Sequence, residues 1–312
     1  MCTPGPDVSY VSNASSSRQQ GSKVLVVGST GGVGQLVVAK LLEAGYVVRA
    51  TSRNPESARA LFGANDDLEL CTADLRDAAA LTASGICDGI DAVVSCTGTT
   101  AFPSARWKDG NGPENTDFVG TSNLVNAVKT QSPSCKVRSL NIPSLNYDRH
   151  TPNTRASHPR HPHAPHRPRT YSNQLQRFVL VSSIGVERTD QMPFLILNLF
   201  GVLKFKRKGE QTLMTSGLPY TVLRPGRLTD GPYTSYDVNT LLKATSGTRR
   251  AVEMKEGDSL TPEETSRIVV ADCAVASLVS MTAEGRAFCL GTREGAGPGN
   301  DAGAWEKLFA SA

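Results

Sequence analysis

The feature that most constrains this fold is a short aliphatic run that leads directly into a glycine-rich turn. Residues 23–27 read Lys-Val-Leu-Val-Val. The run is too short for a helix and rich in valine, so it predicts a strand buried on both faces, as in parallel sheets covered by helices. Gly28, Gly31 and Gly34 follow with the spacing G-x-x-G-x-x-G, and residues 36–42 then place apolar side chains at helical spacing. The stretch therefore predicts a strand, a turn and a helix.

Each glycine of the turn has a mechanical use. Gly28 lets the chain turn sharply out of the strand, Gly31 lets the backbone approach a pyrophosphate, and Gly34 lets the helix lie close to the sheet. The N–H groups of the first helical turn then point at the anion. The alternative is a turn that only packs a strand against a helix. Because both flanking elements are legible, the pattern favours a dinucleotide-binding loop, which comprises Gly28, Ser29, Thr30, Gly31, Gly32, Val33 and Gly34.

The end of the second predicted strand, residues 46–51, indicates which dinucleotide binds. In this fold a carboxylate about 20 residues past the glycines binds the 2′-hydroxyl of NAD, and the sequence has none there. Arg53 follows the strand instead, and an arginine can bind a 2′-phosphate through paired hydrogen bonds. This favours NADP over NAD. The alternative is that Arg53 is a solvated loop charge.

The rest of the chain continues the alternation of strands and helices that defines an α/β fold with a doubly wound parallel sheet. Further strands are predicted at 68–71, 91–96, 178–181, 220–224 and 287–290, and further helices near 78, 115–129, 193–216, 266–281 and 305–309. Asp77 is placed to cap the helix that starts near Ala78. Thr97 and Gly98 follow the fourth strand, so they are expected at the carboxyl edge of the sheet, beside the cofactor.

The predicted helix at 193–216 has an apolar first half and a basic middle, Lys204-Phe-Lys206-Arg-Lys208. A helix lying on a membrane surface would need basic residues along one whole face. We therefore expect the apolar half to lie in the core and the basic half to line the crevice or the solvent.

Residues 131–176 break the pattern. They contain seven prolines and all five histidines of the chain, without apolar periodicity. A metal site would need ligands held in place, which such a tract does not provide, so no metal site is predicted. The tract also far exceeds the usual connection of about 2–6 residues. We predict an unstructured insertion, either genuine or translated non-coding sequence, in a single domain spanning 22–312.

Charge and composition exclude several classes of protein. The net charge is +4, but residues 131–176 carry +6, which leaves −2 for the remainder and does not argue for nucleic-acid binding. The seven cysteines are scattered and never spaced C-x-x-C, a pattern that suits reduced thiols. No apolar run approaches the ~20 residues of a membrane-spanning helix. Residues 1–21 are Ser-rich and are expected to be a disordered tail or a transit-peptide remnant.

The order of the motifs resembles that of atypical (extended-type) short-chain dehydrogenases/reductases of the NmrA-like NAD(P)-binding group, above all plastid members from plants and algae. The motifs are VLVVGSTGGVG, DLRD, VSCTG, RFVLVSSIGVE, GLPYTVLRPGRLTDGPYTSYD and SRIVVADCA. The resemblance covers residues 23–129 and 177–292. It implies a Rossmann-type sheet with a small C-terminal extension, an NADP(H) cofactor and a protein partner in a plastid complex as one option. It also implies a chloroplast location, with the cytoplasm as the alternative.

The resemblance also implies roles for individual residues. The glycine loop would hold the pyrophosphate, Arg53 the 2′-phosphate, and Asp74 the adenine. Ser182 or Ser183, at the end of the fifth strand, matches the catalytic serine of the family, and Lys206 matches its helix lysine, which holds the nicotinamide ribose. The remaining expected cofactor contacts are Leu75, Thr97, Gly98 and Pro225.

The chain departs from the family at the catalytic tyrosine of the Tyr-x-x-x-Lys motif. Val202 stands at that position if Lys206 is the lysine, and Phe200 stands there if Lys204 is. Neither side chain can give a proton, although carbonyl reduction by hydride gains about 10²–10⁴ in rate from a general acid. Tyr233 or Tyr236, in the loop after the sixth strand, is the candidate replacement.

Two functions therefore stay open at the level of sequence. The first is an NADP(H)-dependent oxidoreductase with a small-molecule substrate that the sequence does not identify; a flavin or quinone substrate would need no acid from the protein. The second is an NADP(H)-binding redox-sensing scaffold or assembly factor with little or no chemistry of its own. Both use the same cofactor-binding residues, and the missing tyrosine favours the second.

Overall fold

The computed structural model describes residues 21–131, 176–229, 247–261 and 264–312. The strands are β1 (Lys23–Val27), β2 (Val47–Ser52), β3 (Leu68–Thr72), β4 (Ala92–Ser95), β5 (Arg177–Val181), β6 (Tyr220–Pro225), β7 (Arg227–Thr229), β8 (Ala251–Glu256), β9 (Glu264–Ser266) and β10 (Arg286–Arg293). The α-helices are α1 (Gly34–Glu43), α2 (Pro55–Phe62), α3 (Ala78–Ala83), α4 (Gly120–Gln131), α5 (Phe194–Leu197), α6 (Val202–Met214), α7 (Arg267–Ser277) and α8 (Ala302–Ser311). A 3₁₀ turn (Ala105–Trp107) and a π-helix (Glu114–Val119) lie between β4 and α4.

The main sheet has the strand order β3-β2-β1-β4-β5-β6-β10-β8. All neighbours pair in parallel except β8, which runs antiparallel to β10. The order reverses between β1 and β4, so the crevice beyond the carboxyl ends of these two strands is the place where such sheets bind ligands. The predicted Rossmann-type α/β fold is confirmed.

The apolar residues of β1 show why this strand lies at the centre. Val24 and Val26 point into a core formed with α1 and α7, whereas Leu25 and Val27 point into a second core formed with α4 and α6. All four side chains are buried. A strand with helices on both of its faces has no solvent-exposed face, which accounts for its unbroken aliphatic sequence.

The prediction of one helix over 193–216 is wrong. Gly201 adopts a left-handed conformation (φ 75°) and separates the single turn of α5 from α6. The expectation that the apolar half lies in the core is confirmed only in part. Phe194, Val202 and Leu203 are buried, but four other apolar side chains of this stretch are 44–72% exposed: Leu195, Ile196, Leu199 and Phe200.

Other differences are smaller. The helix expected near 115–129 begins as the π-helix Glu114–Val119. The strands β7, β8 and β9 were not predicted, because their sequences show no clear strand pattern. Asp77 caps α3 as predicted, because its carboxylate accepts from the N–H of Ala80. The remaining predicted strands agree to within a few residues. The expected N-terminal tail, nearly all of the expected insertion, Tyr233 and Tyr236 lie outside the described residues.

None of the helices in the described ranges combines the length and the apolar character that a membrane span requires. The five cysteines within these ranges, Cys71, Cys87, Cys96, Cys273 and Cys289, are free thiols.

Candidate dinucleotide site

The glycine turn is packed too tightly for side chains at two of its positions. Gly28 has a φ of 73°, and a Cβ there would lie 3.0 Å from the backbone of both Cys96 and Thr97 at the end of β4. A Cβ on Gly34 would lie 2.1 Å from the carbonyl oxygen of Gly28. These contacts place Thr97 beside the glycine turn at the switch point of the sheet, as predicted.

The N-terminus of α1 is open to an anion. Val33 precedes the helix without a side-chain cap, and the first turn carries no acidic residue. The polar side chains nearby turn elsewhere: Ser29 Oγ donates to the carbonyl of Thr51 (2.9 Å), and Gln35 Nε2 donates to the carbonyl of Thr30 (2.8 Å). Uncapped first-turn amides, together with the helix dipole, form a site for phosphate. The amide donors of this turn fit a pyrophosphate.

The ends of β2 and β3 carry the adenosine-side candidates. Asp74 binds Arg76 through two pairs of atoms, with Nε–Oδ1 at 2.9 Å and Nη2–Oδ2 at 2.6 Å. The hydrogen bond from Arg76 lowers the pKa of Asp74, more than partial burial raises it, and the charge of Arg53 contributes further. Arg76 therefore pairs with this carboxylate directly, and Arg53 acts on it through its charge. Leu75 is buried behind them and would contact a Cβ on Gly120 at 3.2 Å.

A loop after β4 contacts both arginines. Arg53 Nη1 donates to the side-chain oxygen of Asn111, and Arg76 Nη1 donates to the carbonyl oxygen of Asp109. Sequence reasoning did not single out Arg76, Asp109 or Asn111. Only the pair of basic residues after adjacent strands could have indicated this cluster.

Lys206 lies at the opposite side of the crevice, and a carboxylate holds it there. Its Nζ is 2.6 Å from Oδ1 of Asp117, and the two side chains are only 11% and 2% exposed. Asp117 also accepts from the N–H of Thr99 (3.3 Å), and a Cβ on Gly98 would lie 2.6 Å from Lys206 Nζ. The structure therefore brings Gly98 and Lys206 together.

Asp117 itself was missed by sequence reasoning, and it sits in the π-helix. Such helices are rare and occur often at functional sites. Gly209 of α6 permits the contact, since a Cβ there would lie 2.3 Å from the carbonyl oxygen of Asp117. In the sequence, Asp117 is only one of several polar residues at the start of the helical stretch predicted at 115–129, so the sequence carried no specific signal for it.

The two candidate serines, Ser182 and Ser183, directly follow β5 and lie beside the carboxyl end of β6. The N–H of Ser182 donates to the carbonyl of Leu223 (2.7 Å), and Ile184 donates to the carbonyl of Pro225 (3.0 Å). Ser183 Oγ donates a hydrogen bond to the carbonyl of Ile184 (3.1 Å), whereas Ser182 Oγ is buried without a hydrogen-bond partner in the described part of the chain. Ser182 is therefore the serine with a hydroxyl free to bind.

The turn after these serines is fixed by Asp258. Its carboxylate accepts from the N–H groups of Gly185 and Glu187 (2.8 Å each) and from Arg188 Nη2 (3.0 Å). Burial raises the pKa of Asp258, but these hydrogen bonds outweigh burial and lower it below its usual value.

Beneath the site, a buried ion network ties β6 to α6. Arg224 is 1% exposed and Glu210 is fully buried; the two are joined by bonds of 3.1 and 2.7 Å. Glu187 accepts a further bond from Arg224 (2.9 Å), and Arg207 bridges both glutamates at 2.9 and 3.0 Å. Burial opposes the charge of Arg224, but the two glutamates raise its pKa. Because Glu210 is one turn beyond Lys206, the network also fixes the helix that carries this lysine.

The position of the missing tyrosine offers no proton donor. Val202 is 2% exposed, and Phe200 packs edge-on against Trp107 with ring centroids 6.1 Å apart. Among the described residues, no group of three or more His, Cys, Asp or Glu side chains could hold a metal ion. The catalytic roles of Ser182, Ser183 and Lys206 stay predictions.

Comparison with known proteins points to NAD(P)H binding. A sequence-family model described as NAD(P)H-binding matches residues 28–150 and 171–280. An uncharacterized chloroplastic protein of Arabidopsis thaliana is 29% identical over 265 residues, which cover 82% of this chain and 72% of the relative. The chloroplastic protein TIC 62 of Pisum sativum is 29% identical over 220 residues, 65% of this chain but only 32% of TIC 62. The chain thus matches about a third of the length of that relative.

Solved structures share the fold. The oxidoreductase ylbE from Lactococcus lactis matches with a TM-score of 0.59 and 16% identity, covering 93% of this chain and 95% of its own. A wide-type short-chain dehydrogenase/reductase from Veillonella parvula, solved in complex with NADP, matches with a TM-score of 0.50 and 12% identity over 86% of this chain and 94% of its own. These likenesses confirm the Rossmann-type fold and agree with the resemblance to atypical short-chain dehydrogenases/reductases.

Proposed function

This chain belongs to the NAD(P)H-binding family, and from that premise we propose that it is an NADP(H)-preferring oxidoreductase of the atypical short-chain type, acting on a small molecule in the chloroplast. The observation that carries the proposal is the uncapped N-terminus of α1 behind a glycine turn that excludes side chains at Gly28 and Gly34. The plastid location is supported by the relatives of the chain, which include chloroplastic proteins.

The preference for NADP is supported by charge at the end of β2. No carboxylate stands there to bind a ribose 2′-hydroxyl, and Arg53 follows the strand with an exposed guanidinium. Asp74, the nearby acid, is already paired with Arg76. A 2′-phosphate would therefore meet a cationic surface rather than a repulsive one.

The chemistry is supported by Lys206 and Ser182. When bound, the reduced coenzyme supplies a hydride. Lys206, held by Asp117 at 2.6 Å, would orient the ribose of that coenzyme, and Ser182 would donate a hydrogen bond to the acceptor. The position in line with the usual tyrosine is the buried Val202. An acceptor such as a quinone or a flavin fits this arrangement best, since water can supply its proton.

A second candidate is a coenzyme-binding scaffold or assembly factor that performs little or no chemistry, with a protein partner in a plastid complex. The absence of a proton donor at Val202 and Phe200 favours it. Both candidates require coenzyme binding, so only turnover distinguishes them.

Two experiments test the proposal. Calorimetric titration with NADPH and NADH should show tighter binding of NADPH. Arg53→Ala should weaken NADPH about tenfold, as expected for a lost charge-assisted contact, and change NADH little. Arg59→Ala, which removes an exposed arginine of the neighbouring helix, is the matched control and should change neither. An equal loss for both coenzymes in Arg53→Ala would contradict the 2′-phosphate role.

NADPH oxidation measured against a panel of quinones, flavins and enones tests the chemistry. Turnover with at least one acceptor, reduced by Lys206→Met, supports the oxidoreductase. Tight NADPH binding without turnover of any acceptor supports the scaffold instead.

A further inference from the structure

Arg53 is not the only guanidinium at the expected position of the 2′-phosphate. Arg76 follows β3, the neighbour of β2 in the sheet, and both arginines lower the pKa of the same carboxylate, Asp74. Arg76 donates to the carboxylate of Asp74 through its Nε and Nη2 atoms, while its Nη1 donates to the carbonyl oxygen of Asp109. An arginine has five N–H donors in a rigid plane, so Nη1 can exchange its acceptor without breaking the pair with Asp74.

The loop that occupies the two arginines has an unusual backbone. Asp109 adopts a positive φ of 57°, alone among the described non-glycine residues, and Gly110 follows with a φ of 75°. This left-handed pair turns the carbonyl of Asp109 toward Arg76, and a Cβ on Gly110 would lie 3.5 Å from Arg76 Nη1. Asn111 then presents its side-chain oxygen to Arg53. Strained backbone of this kind is concentrated at binding and switching segments.

We propose that Arg53 and Arg76 together bind the 2′-phosphate of NADP(H), and that Asp109 and Asn111 hold this place with neutral oxygen atoms until the phosphate displaces them. The inference rests on the proposed function, since it assigns the 2′-phosphate end of the same coenzyme. A phosphate oxygen is a stronger acceptor for a guanidinium than an amide oxygen is, because both partners are charged. The exchange is therefore favourable once the coenzyme is anchored by its pyrophosphate.

Displacement of the loop has a consequence at the other end of the crevice. Trp107 lies in the 3₁₀ turn just before Asp109, and its ring contacts Phe200 between α5 and α6. Its Nε1 also donates to Thr100 Oγ1 (3.1 Å). Because only Lys108 separates Trp107 from Asp109, we expect the release of the two arginines to change the surroundings of Trp107. Binding of the 2′-phosphate thereby changes the surface beside the exposed apolar residues of α5.

The first test separates the two arginines and the loop by affinity. Arg76→Ala should weaken NADPH about tenfold and leave NADH within about twofold, because only the 2′-phosphate contact is lost. Asn111→Ala should do the opposite and tighten NADPH about threefold, since a competing acceptor is removed. Arg59→Ala is the charge-matched control. Unchanged NADH affinity also shows that each variant is folded.

The second test follows Trp107 with ligands that contain no nicotinamide. The chain has two tryptophans, and the other, Trp305, is 2% exposed in the core around α8. Adding 2′,5′-ADP should change the tryptophan fluorescence, whereas 5′-AMP at equal occupancy should not. Trp107→Phe should abolish the change.

The outcomes distinguish this inference from the proposed function. If Arg76→Ala leaves NADPH affinity intact while Arg53→Ala lowers it, the second arginine has no such role and the inference fails alone. Equal fluorescence changes with 2′,5′-ADP and 5′-AMP would also overturn it. If the unmodified protein binds neither NADPH nor NADH, the proposed function fails and the inference fails with it.

Discussion

The close packing of Gly34 gives the sharpest prediction about the site. A Cβ at this position would lie 2.1 Å from Gly28 O and 2.9 Å from the backbone of both Gly28 and Ser29. These atoms are main-chain atoms that hold β1 to α1, so no side chain can rotate away. In Gly34→Ala, the start of α1 must therefore shift by about 1 Å to restore van der Waals contact.

Such a shift should affect stability and binding together. Overpacking of this kind costs about 1–3 kcal/mol, which corresponds to a fall in Tm of about 2–4 °C for each kcal/mol in a chain of this size. The first-turn amides move with the helix, so NADPH and NADH should both lose about tenfold or more in affinity. The equal loss is the distinctive part, because the pyrophosphate is common to both coenzymes.

Gly247→Ala is the matched control, because a Cβ there meets nothing within 4 Å. Urea denaturation and calorimetric titration measure the two effects on each variant. If Gly34→Ala retained the stability and both affinities of the unmodified protein, the glycine turn would not be positioned as described, and the reasoning from its geometry would be refuted.

Four further predictions concern other parts of the molecule. Glu210→Gln should lower the free energy of unfolding, measured by urea denaturation, by about 3 kcal/mol, because Arg224 stays buried with part of its charge uncompensated. A change below about 0.5 kcal/mol, which is typical of surface substitutions, would contradict this. The pKa of Asp258 is lowered in the folded state, so its contribution to stability should be present above about pH 4 and lost as the pH falls through the folded pKa. Asp258→Asn should therefore reduce the fall of the free energy of unfolding at acid pH, and an unchanged dependence on pH would contradict this. Lys206→Met should reduce kcat with a quinone acceptor more than it weakens NADPH, and normal turnover would exclude the lysine from the site. Deleting residues 132–175 should preserve Tm and NADPH affinity, while loss of either would show that the segment belongs to the fold.

The last of these predictions has a structural basis in the flanks of the deleted segment. Gln131 donates to the carbonyl of Thr82 and accepts from the N–H of Cys87, and the N–H of Gln176 donates to the carbonyl of Asp91. Both flanks are thus anchored to the stretch that leads into β4. We therefore expect that a short linker can rejoin them without moving β5.

The sequence predicted those elements whose signal is local. The aliphatic runs of β1, β4 and β5 and the glycine spacing before α1 follow from the burial of a parallel sheet and from tight backbone packing, and both are visible in a few consecutive residues. The pairing of Asp77 with the start of α3 is equally local. These patterns place Thr97, Gly98, Ser182 and the glycine turn along one edge of the sheet.

The rest depends on contacts between distant residues. The break at Gly201 and the exposure of the apolar side chains around α5 could not be read from composition, because an apolar run looks the same whether or not a helix packs on it. The pairing of Asp117 with Lys206 joins residues 89 positions apart. Arg76 was passed over because its role depends on a loop that returns from β4.

We propose that the turn between β1 and α1 binds the pyrophosphate of a nicotinamide dinucleotide and that a guanidinium surface beyond β2 selects its 2′-phosphate. Calorimetric titration of the purified protein with NADPH and NADH measures both. We expect saturable binding of both coenzymes at one site, with NADPH at least about tenfold tighter. No heat with either coenzyme would contradict the site itself, and equal affinities would contradict the assignment of the 2′-phosphate.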